Sequence, residues 1–381
     1  VSRLGFRHLS IGDLDEQTLR DLVAEGETLF VERKETDPSR GIGQTVAAFA
    51  NTLGGWLLLG IADDGTLKGY EAGAGDFADK IRHKLRAQVE PLPPFSAATV
   101  NLDGFTIGLV RVFESADTPH IVLGTGSVPV REPAGTRNIE SHAELIDLAR
   151  RGERARADAS ERLESLPYLT EQIDKELPPD QHVLQGYTVR AAPFTRPADF
   201  ADRVLSIDFG SFSRELAREL FPGPPFAQPS HRQEDFSFGQ RGFNVTSTQF
   251  GAHHRASVIA DAGGAAACRS EQASPDPQRP AMLRPEQVAE EIKPLLTGVV
   301  KTLEKLASRG RVACDLLVRG FYGAHFTHQR AGFDVLETQL VHISGEITVP
   351  PDDGEIDALT HRWVNELARA AGLQVWQDLA N

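Results

Sequence analysis

Apolar residues recur at helical spacing near the start of the chain, where Leu14, Leu19, Leu22 and Val23 follow Asp-rich N-terminal signals and Gly26 supplies a stop. In TLFVERKE, Phe30 and Val31 run directly into charged residues, which predicts a short edge strand ending near Lys34. Helical spacing returns with Ile42, Val46, Phe49 and Ala50 and is broken by the Gly54-Gly55 pair. WLLLGIAD is apolar on both faces and too short for a typical helix, so it predicts a central strand. DDGTLKG after it predicts a tight turn, with the Asp-Gly step supplying a residue able to take positive φ beside two carboxylates.

The pattern continues with an amphipathic helix over residues 76–90 that PLPP terminates. A hairpin turning at Asp103-Gly104 follows, then a short hairpin within HIVLGTGSVPVREPAGTRNI and a long Arg/Glu-laced helix from Ser141 that becomes more polar along its length. Past residue 185 the periodicity predicts a strand and short helices over TVRAAPFTRPADFADRVLSIDF and FSRELARELF. FPGPPFAQPSHRQEDFSFGQRG predicts a loop, and FNVTSTQF, ASVIADAG and AAACRSE predict a three-strand meander. EQVAEEIKPLLTGVVKTLEKLASRG predicts a helix despite Pro294, with strands in RVACDLLVRGF and LETQLVHISGEITVP and a final capped helix closed by Gly372. The fold class expected is α+β: a mixed-sheet domain over 1–150, a helical linker over 151–185 and a second α+β domain over 186–381.

Composition sharpens this picture. A chain of 381 residues, 40% hydrophobic, with 34 Gly and 23 Pro, describes a folded protein of two domains with many punctuated loops. No run approaches the length needed to span a bilayer, and the first residues lack a signal peptide's apolar segment, so no membrane partner and a cytoplasmic location are expected. Cys268 and Cys314 lack redox or zinc spacing and read as ordinary buried thiols. The net charge of -14 argues against a general positive surface, and the first 150 residues are no exception, with 15 Lys/Arg against 22 Asp/Glu. Any RNA or DNA must therefore be held by a local patch, a metal or an oligomeric groove; Arg33, Lys34, Arg40, Arg82, Lys84, Arg86, Arg131 and Arg137 are the candidate patch residues.

Candidate chemistry concentrates between Glu27 and Gly69. Glu27 and Glu32 are separated by four residues, a spacing that places them on opposite faces of an extended strand unless Glu27 lies in the preceding turn or the strand bulges. Asp63 and Asp64 close the neighbouring strand. Converging carboxylates repel unless protonated or bridged by a divalent cation, so Glu27, Glu32 and one of Asp63 and Asp64 form a candidate metal trio, with Lys34 placed to hold a phosphate. The same spacing also suits solvated acids around a turn. Gly54 and Gly55 suit either a helix cap or a phosphate-binding backbone, and no GxxxxGK[ST] motif supports a nucleotide cradle.

ETLFVERKE, TVAAFANTLGGWLLLGIADDGTLKG, the Pro119-His120 pair and the VPVRE segment together resemble the Schlafen AlbA_2 domain over about residues 20–140. That resemblance implies an α+β fold and a nucleic-acid-binding or regulatory role, and matches Glu27, Glu32 and Asp63 to the carboxylate trio of the family's endoribonucleases, with Lys34 in the attendant basic position. Through it, a catalytic alternative would be Mg²⁺- or Mn²⁺-dependent cleavage of tRNA-like RNA, with a role in defence. A further alternative is a non-catalytic structural or ATP-linked assembly protein. Eukaryotic members enclose RNA between two such modules, whereas this chain shows one, so a homo-oligomer or the second domain is expected to complete the groove.

Overall fold

The computed structural model describes residues 6, 9–36, 41–71, 75–166, 184–197, 199–220, 232–239, 242–249, 254–273, 282–319, 321, 325–328, 331–335, 340–351 and 354–370. The chain divides into two units, the first comprising Val1–Ala157 with Arg309–Arg311 and the second Asp158–Ser308 with Val312–Asn381. Both are α+β, as the periodicity predicts.

In the first unit, α1 (Glu16–Ala24) begins where Asp15 accepts a hydrogen bond from the Thr18 amide. It is followed by β1 (Val31–Lys34), α2 (Ile42–Ala50), β2 (Gly55–Leu59), α3 (Phe77–Arg86), β3 (Val89–Glu90), β4 (Phe95–Leu102) and β5 (Phe105–Val112). Four strands form a mixed sheet in the order β1-β2-β5-β4, with β1 parallel to β2 and the other pairings antiparallel. All of β2 is buried, and the two-residue period divides its side chains between two cores. Leu57 and Leu59 pack with Ile42, Phe49, Phe77 and Ile81 of α2 and α3. Trp56 and Leu58 pack with Leu19, Leu22 and Val31. The Asp103-Gly104 turn joins β4 to β5 with both residues at positive φ, the geometry that twists with the flanking strands.

The helix expected over 76–90 ends at Arg86, because Val89 and Glu90 pair instead with β6 (Ile121–Val122). Then come the hairpin β7 (Pro129–Glu132) and β8 (Gly135–Asn138) and the helix α4 (His142–Ser165). The first unit reaches well into α4: Gly152 lies so close to the Ala116 carbonyl that a Cβ there would sit 2.2 Å from it.

The second unit contains β9 (Leu184–Pro193), α5 (Phe200–Val204), α6 (Ile207–Leu220), β10 (Arg232–Gly239), β11 (Gly242–Gln249), β12 (His254–Asp261), β13 (Ala265–Ala273), β14 (Met282–Leu283) and α7 (Pro285–Lys305). β15 (Gly310–Arg319), whose first two residues belong to the first unit, β16 (His325–His328), β17 (Ala331–Val335), β18 (Leu340–Val349) and α8 (Glu355–Ala370) complete it. Its main sheet has the order β10-β11-β12-β13-β9-β15-β18. The predicted meander is β11, β12 and β13, but the segment before it, expected as a loop, contains the strand β10, which pairs antiparallel along its whole length with β11. Gly372 lies outside the described residues. One face of the sheet carries Tyr187, Val189, Cys268, Cys314 and Leu316 into a core shared with α6, α7 and α8. Burial there pushes the Cys268 and Cys314 thiols well up, which keeps both protonated. Among the described residues, no helix is long and apolar enough to cross a membrane.

Candidate functional site

Strand register decides where the charges of ETLFVERKE go. Val31 lies beside Trp56 and Glu32 beside Leu57, so Glu32 and Lys34 share the α2 face of the sheet while Arg33 points with Val31 towards α1. Arg33 is accordingly buried; its guanidinium donates to the Val23 carbonyl at the end of α1 and, at 3.3 Å, to the Asp63 carbonyl. Glu27 lies in the turn before β1, as one of the two geometries for a shared pocket requires, and accepts from the Arg33 amide at 3.4 Å.

Glu32 is the centre of a charge-paired knot. One carboxylate oxygen lies 2.7 Å from Lys34 Nζ and the other accepts from Arg131 at 2.8 Å. Lys34 Nζ is also 3.8 Å from Glu27. Arg131, on β7, is almost wholly buried: it donates to the Thr28 carbonyl at 2.6 Å and to the Thr136 hydroxyl at 3.1 Å, and its guanidinium lies 5.0 Å from the centre of the Phe49 ring. The structure shows where it places each member of the candidate trio Glu27, Glu32 and Asp63. Both Glu32 oxygens are committed to cations, Asp63 is exposed on the turn after β2, and among the described residues no group of three or more His, Cys, Asp or Glu is arranged to hold a metal ion. Asp64 caps that turn, accepting from the Thr66 amide at 2.8 Å, and this bond holds its carboxyl below the ordinary range.

A second hub lies at the end of α2. The Asn51 side chain donates to the His120 carbonyl at 2.9 Å and the Pro129 carbonyl at 3.0 Å, and accepts from the His120 amide at 2.8 Å. Three marks of the resemblance, AFANT, Pro119-His120 and VPVRE, thus meet on one buried amide. Arg151 of α4 donates to the Asn51 and Thr52 carbonyls at 2.7 and 3.1 Å, satisfying the helix's terminal acceptors. Gly54, at φ +74, lets the chain turn back with its amide on the Phe49 carbonyl, and a Cβ at Gly55 would meet the Phe49 ring at 2.3 Å. The Gly pair therefore ends α2 and admits β2 to the core.

His120 is fully buried, with Nδ1 2.7 Å from the Pro91 carbonyl, which fixes the proton on that nitrogen. Burial lowers its pKa from 6.5 to about 4, and the Pro91 contact and Asp117 offset this only in part. Because the folded value lies below the unfolded one, the unfolded chain binds the proton first as pH falls. The stabilisation is complete above pH 6.5 and is withdrawn towards pH 4, a loss of about 3 kcal/mol. Denaturant melts at pH 7 and pH 4.5 check this: a His120→Gln variant is expected to show a shallower dependence over that window, and an unchanged slope would refute the assignment.

The other patch candidates lie elsewhere. Arg137 is exposed on β8 and pairs with Glu132 at 2.5 Å and Glu144 at 2.9 Å, which raises its pKa further. Arg40 lies outside the described residues. Arg82, Lys84 and Arg86 lie on α3, whose core side buries Phe77, Ile81 and Leu85. With Lys80 they flank the exposed face, Lys80 and Lys84 on one side and Arg82 and Arg86 on the other, as their spacing of four dictates. Arg82 lies 5.9 Å from the Phe95 ring centre.

The first unit is thus an α+β module whose mixed sheet carries a charge-paired glutamate on its edge strand. Residues 27–140 match the family model Schlafen, AlbA_2, in agreement with the resemblance carried by the motifs. Among solved structures, the DIP2311 protein from Corynebacterium diphtheriae matches at 15% identity over 54% of this chain and 33% of its own, with a TM-score of 0.28. The chain therefore spans about a third of that protein's length. The N-terminal domain of an ATP-dependent DNA helicase RecG-related protein from Nitrosomonas europaea matches at 27% identity over 32% of this chain and 88% of its own, with a TM-score of 0.22. No curated protein matches the chain.

Proposed function

We propose that the first unit is a nucleic-acid-binding module, contacting RNA or DNA through the exposed face of α3, and that the second unit regulates it. The observation that carries this is the cation cluster of α3: Lys80, Arg82, Lys84 and Arg86 fall within seven residues of a chain whose net charge is -14 and flank an exposed strip carrying Asp79 and His83, on a helix fixed to the core by its apolar side. The Schlafen AlbA_2 match of residues 27–140 supports the same reading. A second copy of the chain would supply a second such face and complete a groove around a strand, which sedimentation with and without nucleic acid tests. Binding is the proposal; a catalytic role for Glu32 would need its two cation pairs to open.

Phosphate contacts release counterions, so affinity for structured RNA, single-stranded DNA and duplex DNA is expected to fall steeply with salt. Lys84→Ala and Arg86→Ala are each expected to reduce the magnitude of the log–log salt slope by about 1, without changing the melting temperature much. Salt-insensitive binding, or none to any of the three, would sink the proposal.

A further inference from the structure

The side of the second unit's sheet opposite the helices is unusual for what it buries. Register aligns three rows across β13, β9 and β15: Ala267, Arg190 and Asp315; Arg269, Thr188 and Leu317; Glu271, Gly186 and Arg319. Arg190, Asp315, Arg269 and Glu271 are all buried. Arg190 grips Asp315 through two nitrogens, at 2.7 and 2.5 Å, and donates to the Leu163 carbonyl at 3.0 Å. Arg269 pairs with Glu271 on the same strand. His342 of β18, half exposed, places Nε2 2.8 Å from the same Asp315, so one carboxylate orients both the arginine and the imidazole.

Among the described residues, no apolar layer closes this face. It borders a cavity of about 350 Å³ whose charged lining includes Arg190, Arg269, Arg319, Glu164 and Glu271, with Leu166, Ile259 and Leu317 among its apolar walls. Buried ion pairs cost desolvation that well-packed apolar residues avoid, so stability alone gives little reason for two of them on one sheet face. Small residues at Gly186, Thr188 and Ala267 keep the floor low between them. Convergent charged groups around a cavity of this size, with apolar walls, describe a small-molecule site.

We propose that this cavity binds a small zwitterion of the amino-acid class, its carboxylate held by the arginines, its ammonium by Glu164 and Glu271, and its side chain against Leu166, Ile259 and Leu317. The charge balance carries the choice of class. Three arginines face two glutamates with Asp315 directly behind, so an added carboxylate and ammonium together preserve neutrality, whereas a phosphate would bring unbalanced negative charge against the glutamates.

The test is calorimetric titration of the full chain with three sets of probes: the twenty amino acids, a set of dipeptides, and adenosine with AMP. At least one zwitterion is expected to bind saturably, and the first two sets distinguish a free amino acid from a peptide. Thr188→Leu, which raises the floor, and His342→Ala, at the half-exposed edge, are each expected to weaken it at least tenfold while the far-UV spectrum and melting temperature stay near those of the parent; His342→Ala keeps the test open if Thr188→Leu does not fold. Binding by none of the probes, binding by the nucleoside set alone, or zwitterion binding unchanged in a folded variant would each overturn the proposal.

Discussion

Asn51→Asp is expected to destabilise the first unit by about 4 kcal/mol, read as a fall in the midpoint of its denaturant-induced unfolding. The wild-type amide makes three buried hydrogen bonds, two as donor to the His120 and Pro129 carbonyls and one as acceptor from the His120 amide. Asp keeps the shape and the acceptor but has no N–H for either carbonyl, and sets a carboxylate against their negative ends. Each buried group left unsatisfied costs about 1–3 kcal/mol, and an isolated charge adds desolvation. Asn51→Ala loses the same bonds without adding charge and is expected to cost about 3 kcal/mol. The comparison is diagnostic because the side chains of Asn and Asp are nearly isosteric. If Asp proves as stable as the parent at pH 7, the amide is not the hub described.

Glu32→Gln is expected to cost about 3 kcal/mol, because it strips the countercharge from a buried arginine. The side chain of Arg131 is 4% exposed, so it cannot recover the loss by turning to water without unpacking from Phe49 and Thr28. Lys34→Ala removes the other cation on Glu32, but the Lys34 side chain is about a third exposed and its pairing is screened, so a loss under about 1 kcal/mol is expected. Millimolar Mg²⁺ or Mn²⁺ is expected to leave the wild-type melting temperature unchanged, since ligands that bind only the folded chain raise it. A metal-induced rise that disappears in Glu32→Gln would restore the cation cage in place of the knot. Metal-dependent cleavage of tRNA-like RNA, lost in the same variant, would do so by activity.

Much of the first unit is legible in its periodicity. β2 stands out because five buried residues leave no polar alternation, and the Asp-Gly turns because few other pairs accept their backbone angles. Arg33 shows both the reach and the neglect of such reading. Taken as a residue type it belongs on a basic surface, yet the two-residue period that buries Val31 requires Arg33 to point inward as well. Asn51 is different. Its partners lie 69 and 78 residues further along the chain, and no local pattern encodes contacts at that range. β10 was hidden for a third reason: it follows a Pro-rich stretch and mixes charges with Phe236 and Phe238, so its strand character depends on the neighbour that supplies its hydrogen bonds.

The reach of Arg151 bears on where this module could be cut from the chain. The family match ends at residue 140, but the terminal carbonyls of α2 are satisfied eleven residues later, and Thr118 donates to the Leu148 carbonyl at 2.8 Å. An excised domain ending at 140 would therefore keep every motif of the match and still lack the clamp that closes α2, whereas one ending at Ala157 would keep that clamp.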